Sequence, residues 1–161
     1  MKIHREGKKI IFLTLGVTAA IWIAMIFMVN HWTFFHYLFM CLLLLFDLAV
    51  TSFFRIPRRI FTDSGGELIS PADGTIVAIE QVYEKNYMGC DCIQVSIFMS
   101  ATDVHVNRYP CDGTVEYVKY RRGNYFVASY PKSSDLNERT EIGMRLPGGQ
   151  KILMRQVAGV M

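Results

Sequence analysis

Between Ile10 and Phe54 the chain runs for forty-five residues with no lysine or arginine and a single acid, Asp47. A stretch so poor in charge limits the possible folds more than any other feature of the sequence. Ile10–Val29, IIFLTLGVTAAIWIAMIFMV, supplies twenty uncharged residues. A helix of that length rises far enough to cross ~30 Å of hydrocarbon. Asn30-His31 interrupts it, and Trp32–Phe54 forms a second span with Trp32, Phe34, Phe35 and Tyr37 gathered at its start, as interfacial aromatics are. Two spans joined by so short a link make a helical hairpin, and its outer ends must face the same side of the bilayer. Lys2, Arg5, Lys8 and Lys9 flank one end and Arg55, Arg58 and Arg59 the other. An excess of Lys and Arg marks the cytoplasmic side, so the sequence places both ends, together with the domain after Arg59, in the cytoplasm at the cell membrane. A signal peptide is excluded, because the first span is too long and no small-residue cleavage site comes after it. A shallow re-entrant wedge stays open as an alternative, since Asp47 is costly at mid-depth.

The hairpin also explains the net charge of +3. From Ile60 onward there are ten Lys/Arg against twelve Asp/Glu, about −2. The basic character therefore sits at the edges of the apolar region, where each arginine near an anionic membrane contributes about 1 kcal/mol. It does not form a nucleic-acid surface, and no nucleic-acid partner is expected. Of the cysteines, Cys41 lies in the apolar region, while Cys90-x-Cys92 and Cys111 come later. On a strand Cys90 and Cys92 share a face and could hold half a metal site. No second pair completes four ligands, so the expectation is reduced structural thiols and no metal.

Pro57 ends the second helix, and a polar stretch around Asp63–Gly66 comes next. Leu68–Val77 then reads as strand, turn, strand, with Pro71 and Asp73-Gly74 as the turn. Apolar runs recur at Ile93–Met99, Thr114–Tyr120, Tyr125–Ser129, Thr140–Leu146 and Ile152–Val157, with Pro147-Gly148-Gly149 as a further turn. Short strands about ten residues apart, with no long amphipathic helix, predict an all-β barrel or sandwich. Val115 and Tyr117 are expected in its core or on a sheet face. The fold class is thus mainly β: a transmembrane helical hairpin (1–59, with basic flanks), then a β-rich domain (60–161).

Chemistry concentrates in Phe98–Gly113, FMSATDVHVNRYPCDG, where Asp103, His105, Asn107 and Arg108 fall within six residues at the end of a predicted strand. By local chemistry alone Asp73 is either a turn residue bonding its own backbone or a functional carboxylate. His105 is either a strand-end histidine or a proton carrier, and Asp103 with Arg108 could be a simple salt bridge.

Several segments, in order, resemble the short, membrane-anchored phosphatidylserine decarboxylases. They are FFRIPRR at Phe53–Arg59, SPADG at Ser70–Gly74 and IFMSATDVHVNRYPCDG at Ile97–Gly113, then VKYRRGNYFVASYPKSSDLNER at Val118–Arg139 and RQVAG at Arg155–Gly159. The resemblance implies a carboxy-lyase of phospholipid biosynthesis that converts phosphatidylserine to phosphatidylethanolamine. It implies a proenzyme in which a serine following a glycine cleaves the chain and becomes a pyruvoyl cofactor. That ketone takes up the substrate amine as a Schiff base and acts as electron sink. By the same resemblance Asp73 is the carboxylate that orients a histidine for self-cleavage, and His105 is the general base and acid. Longer relatives carry a second histidine where this chain has Arg108, so His105 would serve both cleavage and decarboxylation, or cleavage would use another group.

The serines are Ser52, Ser64, Ser70, Ser96, Ser100, Ser129, Ser133 and Ser134, and none directly succeeds a glycine. The expectation is therefore an N-terminal portion of the proenzyme, with the pyruvoyl-forming serine beyond Met161 on a C-terminal chain that is its partner. An inactive truncated relative is the alternative, as is a membrane-anchored barrel-sandwich binding module, since SPADG-like strings also occur in biotinyl and lipoyl domains. A homo-oligomer is left open.

Overall fold

The computed structural model describes residues 2–60, 67–127 and 133–159. It divides into two compact units, Met1–Phe61 with Thr102–Val106, and Thr62–Ala101 with Asn107–Met161.

The first unit is the hairpin with its ends tied together. Strand β1 (Lys2–Ile3) leads into α1 (Arg5–Met28), and α2 (Phe34–Phe53) leads into β2 (Arg55–Ile56). The two-residue strands pair antiparallel, Lys2 opposite Ile56 and Ile3 opposite Arg55. The His4 N–H extends the tie by donating to the Phe54 carbonyl at 2.9 Å. Gly7 is required here because the Phe54 ring occupies the space a Cβ would take. At the other end, the Thr33 N–H donates to Nδ1 of His36 at 3.2 Å, which caps α2. The Trp32 ring packs against Tyr37, centroids 5.4 Å apart.

Both helices are long and apolar enough to cross a membrane. They leave Phe12, Ile23, Phe27, Phe35, Leu42 and Leu45 exposed, as lipid-facing helices do. The first begins five residues earlier than the apolar run, so Arg5, Lys8 and Lys9 ride on its first turns. Asp47 faces inward, 3% exposed, and among the described residues neither of its carboxylate oxygens has a hydrogen-bond partner.

The second unit is β structure in two sheets. Strands β3 (Thr75–Glu84) and β4 (Cys90–Phe98) form an antiparallel hairpin in which Ile79 faces Val95 and Glu84 faces Cys90. Strands β5 (Thr114–Arg121), β6 (Arg139–Arg145) and β7 (Lys151–Val157) form an antiparallel sheet in that order, and the four-residue α3 (Ser133–Leu136) precedes β6. Register shifts after Ile76 and after Val115 mark bulges that bend β3 and β5. The predicted mainly β domain is present, as two open sheets. Among the described residues no barrel closes. Val115 and Tyr117 lie on the β5 sheet, Tyr117 the less exposed of the two.

Tyr87, in the β3–β4 turn, joins the two sheets. Its ring lies on the bare α-carbon of Gly143, where a Cβ would come within 2.7 Å of the Tyr87 Cε1. It stacks on Tyr117 at 5.4 Å, and Nζ of Lys151 stands 5.1 Å from its centroid. The Tyr87 hydroxyl donates to Glu116 at 3.2 Å. The turn is held in place by Glu84, whose carboxylate accepts from the N–H groups of Asn86, Tyr87 and Met88 at 2.9, 2.8 and 2.8 Å.

Two predicted strands are corrected. Leu68–Ser70 forms no strand: the Ile69 N–H donates to the Pro110 carbonyl at 2.9 Å, but Pro71 and Pro110 have no N–H with which to extend a ladder. Tyr125–Val127 is not in a ladder either. The buried Asn137 side chain supplies the pairing instead, its Oδ1 accepting from the Phe126 N–H at 2.9 Å and its Nδ2 donating to the Phe126 carbonyl at 2.8 Å. Ala128-Ser129 and the polar stretch Asp63–Gly66 lie outside the described residues.

Candidate active site

The Ser70–Gly74 turn is shaped by its own residues. The Ser70 hydroxyl donates to the Ala72 carbonyl at 2.7 Å. Gly74 has φ +152°, and a Cβ there would collide with the Phe98 carbonyl at the end of β4, so only glycine brings the turn this close to the strand. The Arg108 N–H donates to the Pro71 carbonyl at 2.8 Å, and the Ile69 N–H to that of Pro110. The turn that carries Asp73 therefore runs beside Arg108–Pro110, within the second unit. Asp73 itself is half-buried.

His105 belongs to the first unit, and its neighbours come from the end of α2. The Phe53 ring stacks on the imidazole, centroids 4.0 Å apart and planes at 26°. Nδ1 of His105 lies 3.0 Å from the Asp103 carbonyl. A backbone carbonyl can only accept, so this contact puts the proton of the neutral ring on Nδ1 and leaves a lone pair on Nε2. Val104, beside it, is 5% exposed and anchors the segment. Arg55 clamps the same loop: Nη2 donates to the Thr102 carbonyl at 2.8 Å, while Nη1 donates to the Ser52 carbonyl at 3.0 Å and to the Ser52 hydroxyl. The guanidinium thus joins the C-cap N–H of Phe54 as a donor to the Ser52 carbonyl in the last turn of α2.

Asp73 and His105 thus fall in different units, each fixed by its own neighbours. From sequence alone Phe53 and Arg55 read as membrane-junction residues. Their place in the FFRIPRR string is the available signal, but the string does not tell which side chains turn toward the loop.

A second polar centre has no counterpart among the sequence-based expectations. Glu141, 0% exposed, accepts a hydrogen bond from Nε of Arg139 at 3.2 Å, and the same oxygen is ion-paired with Arg155 and Arg121, whose Nε atoms lie at 3.3 and 3.5 Å. The Tyr117 hydroxyl reaches its other oxygen at 3.2 Å. Burial alone would raise the Glu141 pKa; the Arg139 hydrogen bond, the charges of Arg155 and Arg121 and the Tyr117 bond together hold it below its ordinary value. Asn137 also donates to the Ala158 carbonyl at 2.7 Å, so the NER and RQVAG strings meet in space as a structural joint. Among the described residues no group of three or more His, Cys, Asp or Glu side chains is arranged to hold a metal. All four cysteines are free thiols, Cys92 donating weakly to the Val82 carbonyl at 3.5 Å.

A family profile described as phosphatidylserine decarboxylase matches residues 46–161, from the last turns of α2 onward. The chain is also similar along its whole length to proteins named phosphatidylserine decarboxylase proenzyme. That of Parabacteroides distasonis is 40% identical over 162 residues, covering 100% of this chain and 73% of the relative. That of Amoebophilus asiaticus is 42% identical over 159 residues, 99% of this chain and 71% of the relative. That of Porphyromonas gingivalis is 37% identical over 163 residues, with 100% and 73% covered. The hairpin is included in the likeness. The chain belongs to the phosphatidylserine decarboxylase family.

Proposed function

We propose that this chain carries the proton-transfer part of a phosphatidylserine decarboxylase working at the cytoplasmic face of the membrane, with phosphatidylserine as substrate and phosphatidylethanolamine as product. The supporting observation is the fixed tautomer of His105. With Nδ1–H held by the Asp103 carbonyl, Nε2 is left to take a proton and return it to the carbon that loses carbon dioxide. The pyruvoyl group, when present, supplies the electron sink for that loss, which no ordinary side chain offers. The residues present suit the protonic side of that chemistry, and the pyruvoyl-bearing chain of the processed proenzyme is the proposed partner. Asp73, on a turn that glycine and proline geometry confine, is proposed to be the carboxylate that self-cleavage requires.

In this reading residues 1–59 anchor the enzyme and residues 60–161 form the decarboxylase domain. Both basic ends of the hairpin lie in the cytoplasm, and the arginines after α2 hold the anionic surface close. The test is carbon dioxide release from phosphatidylserine in mixed micelles by the full-length protein, with cleavage of the proenzyme tracked on gels. His105→Ala should lower release by about 10²–10⁴-fold, and Asp73→Asn should leave the proenzyme uncut. Release at the wild-type rate from His105→Ala would refute the proposal.

A further inference from the structure

The histidine assigned to proton transfer is held by the membrane anchor. We infer that Phe53 and Arg55, at the cytoplasmic end of α2, are positioning residues for His105 and fix the proton-transfer group at headgroup depth. This rests on the reading of His105 above and adds what sets its place.

Three contacts within the first unit define the imidazole. The Phe53 ring covers one face at 4.0 Å and 26°, which fixes the ring plane. The Asp103 carbonyl at 3.0 Å fixes rotation within that plane and the tautomer. Arg55 fixes the loop itself, bridging the Thr102 carbonyl at 2.8 Å to the Ser52 carbonyl at 3.0 Å on the last turn of α2. Residues Thr102–Val106 accordingly cluster with the hairpin, whereas the chain on either side of them clusters with the β structure.

Phe53 is the last residue of a 20-residue apolar helix, and Arg55, Arg58 and Arg59 come just after it. Hydrocarbon gives way to headgroups at such a boundary. A ring stacked on Phe53 is therefore at the depth of a lipid's polar head. The substrate's serine can meet it with its acyl chains still in the bilayer, so the hairpin sets catalytic geometry as well as tethering the protein. A group displaced by about 1 Å can cost ~10²-fold in rate, which is the scale on which loss of either support should be felt.

The experiment uses full-length protein in micelles with labelled histidine rings, and His105→Ala identifies the signal of interest. Phe53→Leu keeps the apolar helix end and removes the aromatic face. The His105 ring signal should lose its ring-current displacement, and kcat should fall about tenfold or more with KM within twofold of wild type. Phe53→Tyr should restore both. Arg55→Gln should lower kcat in the same way with the hairpin still inserted. An unmoved His105 signal in Phe53→Leu, wild-type kcat despite a moved signal, or a loss confined to KM would each overturn the inference. Failure of the underlying reading is separable, because it shows as full activity in His105→Ala whatever the Phe53 variants do.

Discussion

A single carboxylate makes the clearest case at the scale of residues. Glu84 looks like any acid on a half-polar strand, yet it is 9% exposed and accepts three backbone N–H groups in the turn directly after it. Burial by itself would raise its pKa. The Met88, Tyr87 and Asn86 N–H groups outweigh that and bring it from an ordinary 4.5 to about 2. A pKa depressed by folding means that the ionised form is the one the fold stabilises. The contribution is fully present above pH 4.5 and is lost as the pH falls through about 2. Allowing for solvent screening, it is on the order of 2 kcal/mol. Glu84→Gln should therefore be less stable than wild type at pH 7, and the difference should shrink toward pH 2. Denaturant melts at several pH values measure this, and a constant gap would rule it out. Nothing in the sequence marks Glu84, because its role depends on where three amides point once the turn has closed. The strings that carry Asp73 and His105, SPADG and DVHVNRYP, are legible in the sequence. Phe53 is not, since a ring stacked across some fifty residues of sequence leaves no local trace.

At the scale of elements, alternation of apolar residues locates the strands and turn residues locate their ends. It fails where side chains or prolines take over the pairing. Asn137 replaces a ladder partner for Phe126, and periodicity has no means of showing an amide side chain in that role. How the two sheets meet is likewise hidden, because it depends on a tyrosine and a glycine 56 positions apart, Tyr87 against Gly143. That contact makes a pairwise prediction. Gly143→Ala should destabilise by about 1–3 kcal/mol, since the new methyl must displace a ring that is held on its other side by Tyr117. In a Tyr87→Ala background the same substitution should cost little, leaving a coupling of about 1 kcal/mol or more. Equal costs in the two backgrounds, measured by denaturant unfolding, would mean the ring does not dock there in solution. The buried Glu141 with its three arginines sits on the same sheet, so loosening Tyr87 should also loosen Tyr117, which bonds that carboxylate.

For the whole molecule, the decisive quantity is where the charges lie relative to the two apolar helices. The hairpin is legible because forty-five residues without a lysine or arginine leave few alternatives. The short antiparallel tie between Lys2–Ile3 and Arg55–Ile56 is not, since two-residue strands have no period. That tie bears on the choice between a spanning hairpin and a shallow wedge. It holds both basic ends together, so they must share one side, and the turn at Asn30-His31 lies a full helix length from them, 24 residues along α1. At 1.5 Å per residue that is about 36 Å, enough to reach the opposite face. With the four cysteines replaced, Asn30→Cys should react in intact cells with a membrane-impermeant maleimide. Lys119→Cys, on β5, should react only after the cells are opened. A wedge would leave both protected until lysis, and an inverted hairpin would exchange the two. Cytoplasmic ends put Phe53, and the histidine stacked on it, at the inner headgroup layer, whereas an inverted hairpin would put them at the outer one, so the labelling pattern also decides which leaflet the His105 ring lies against.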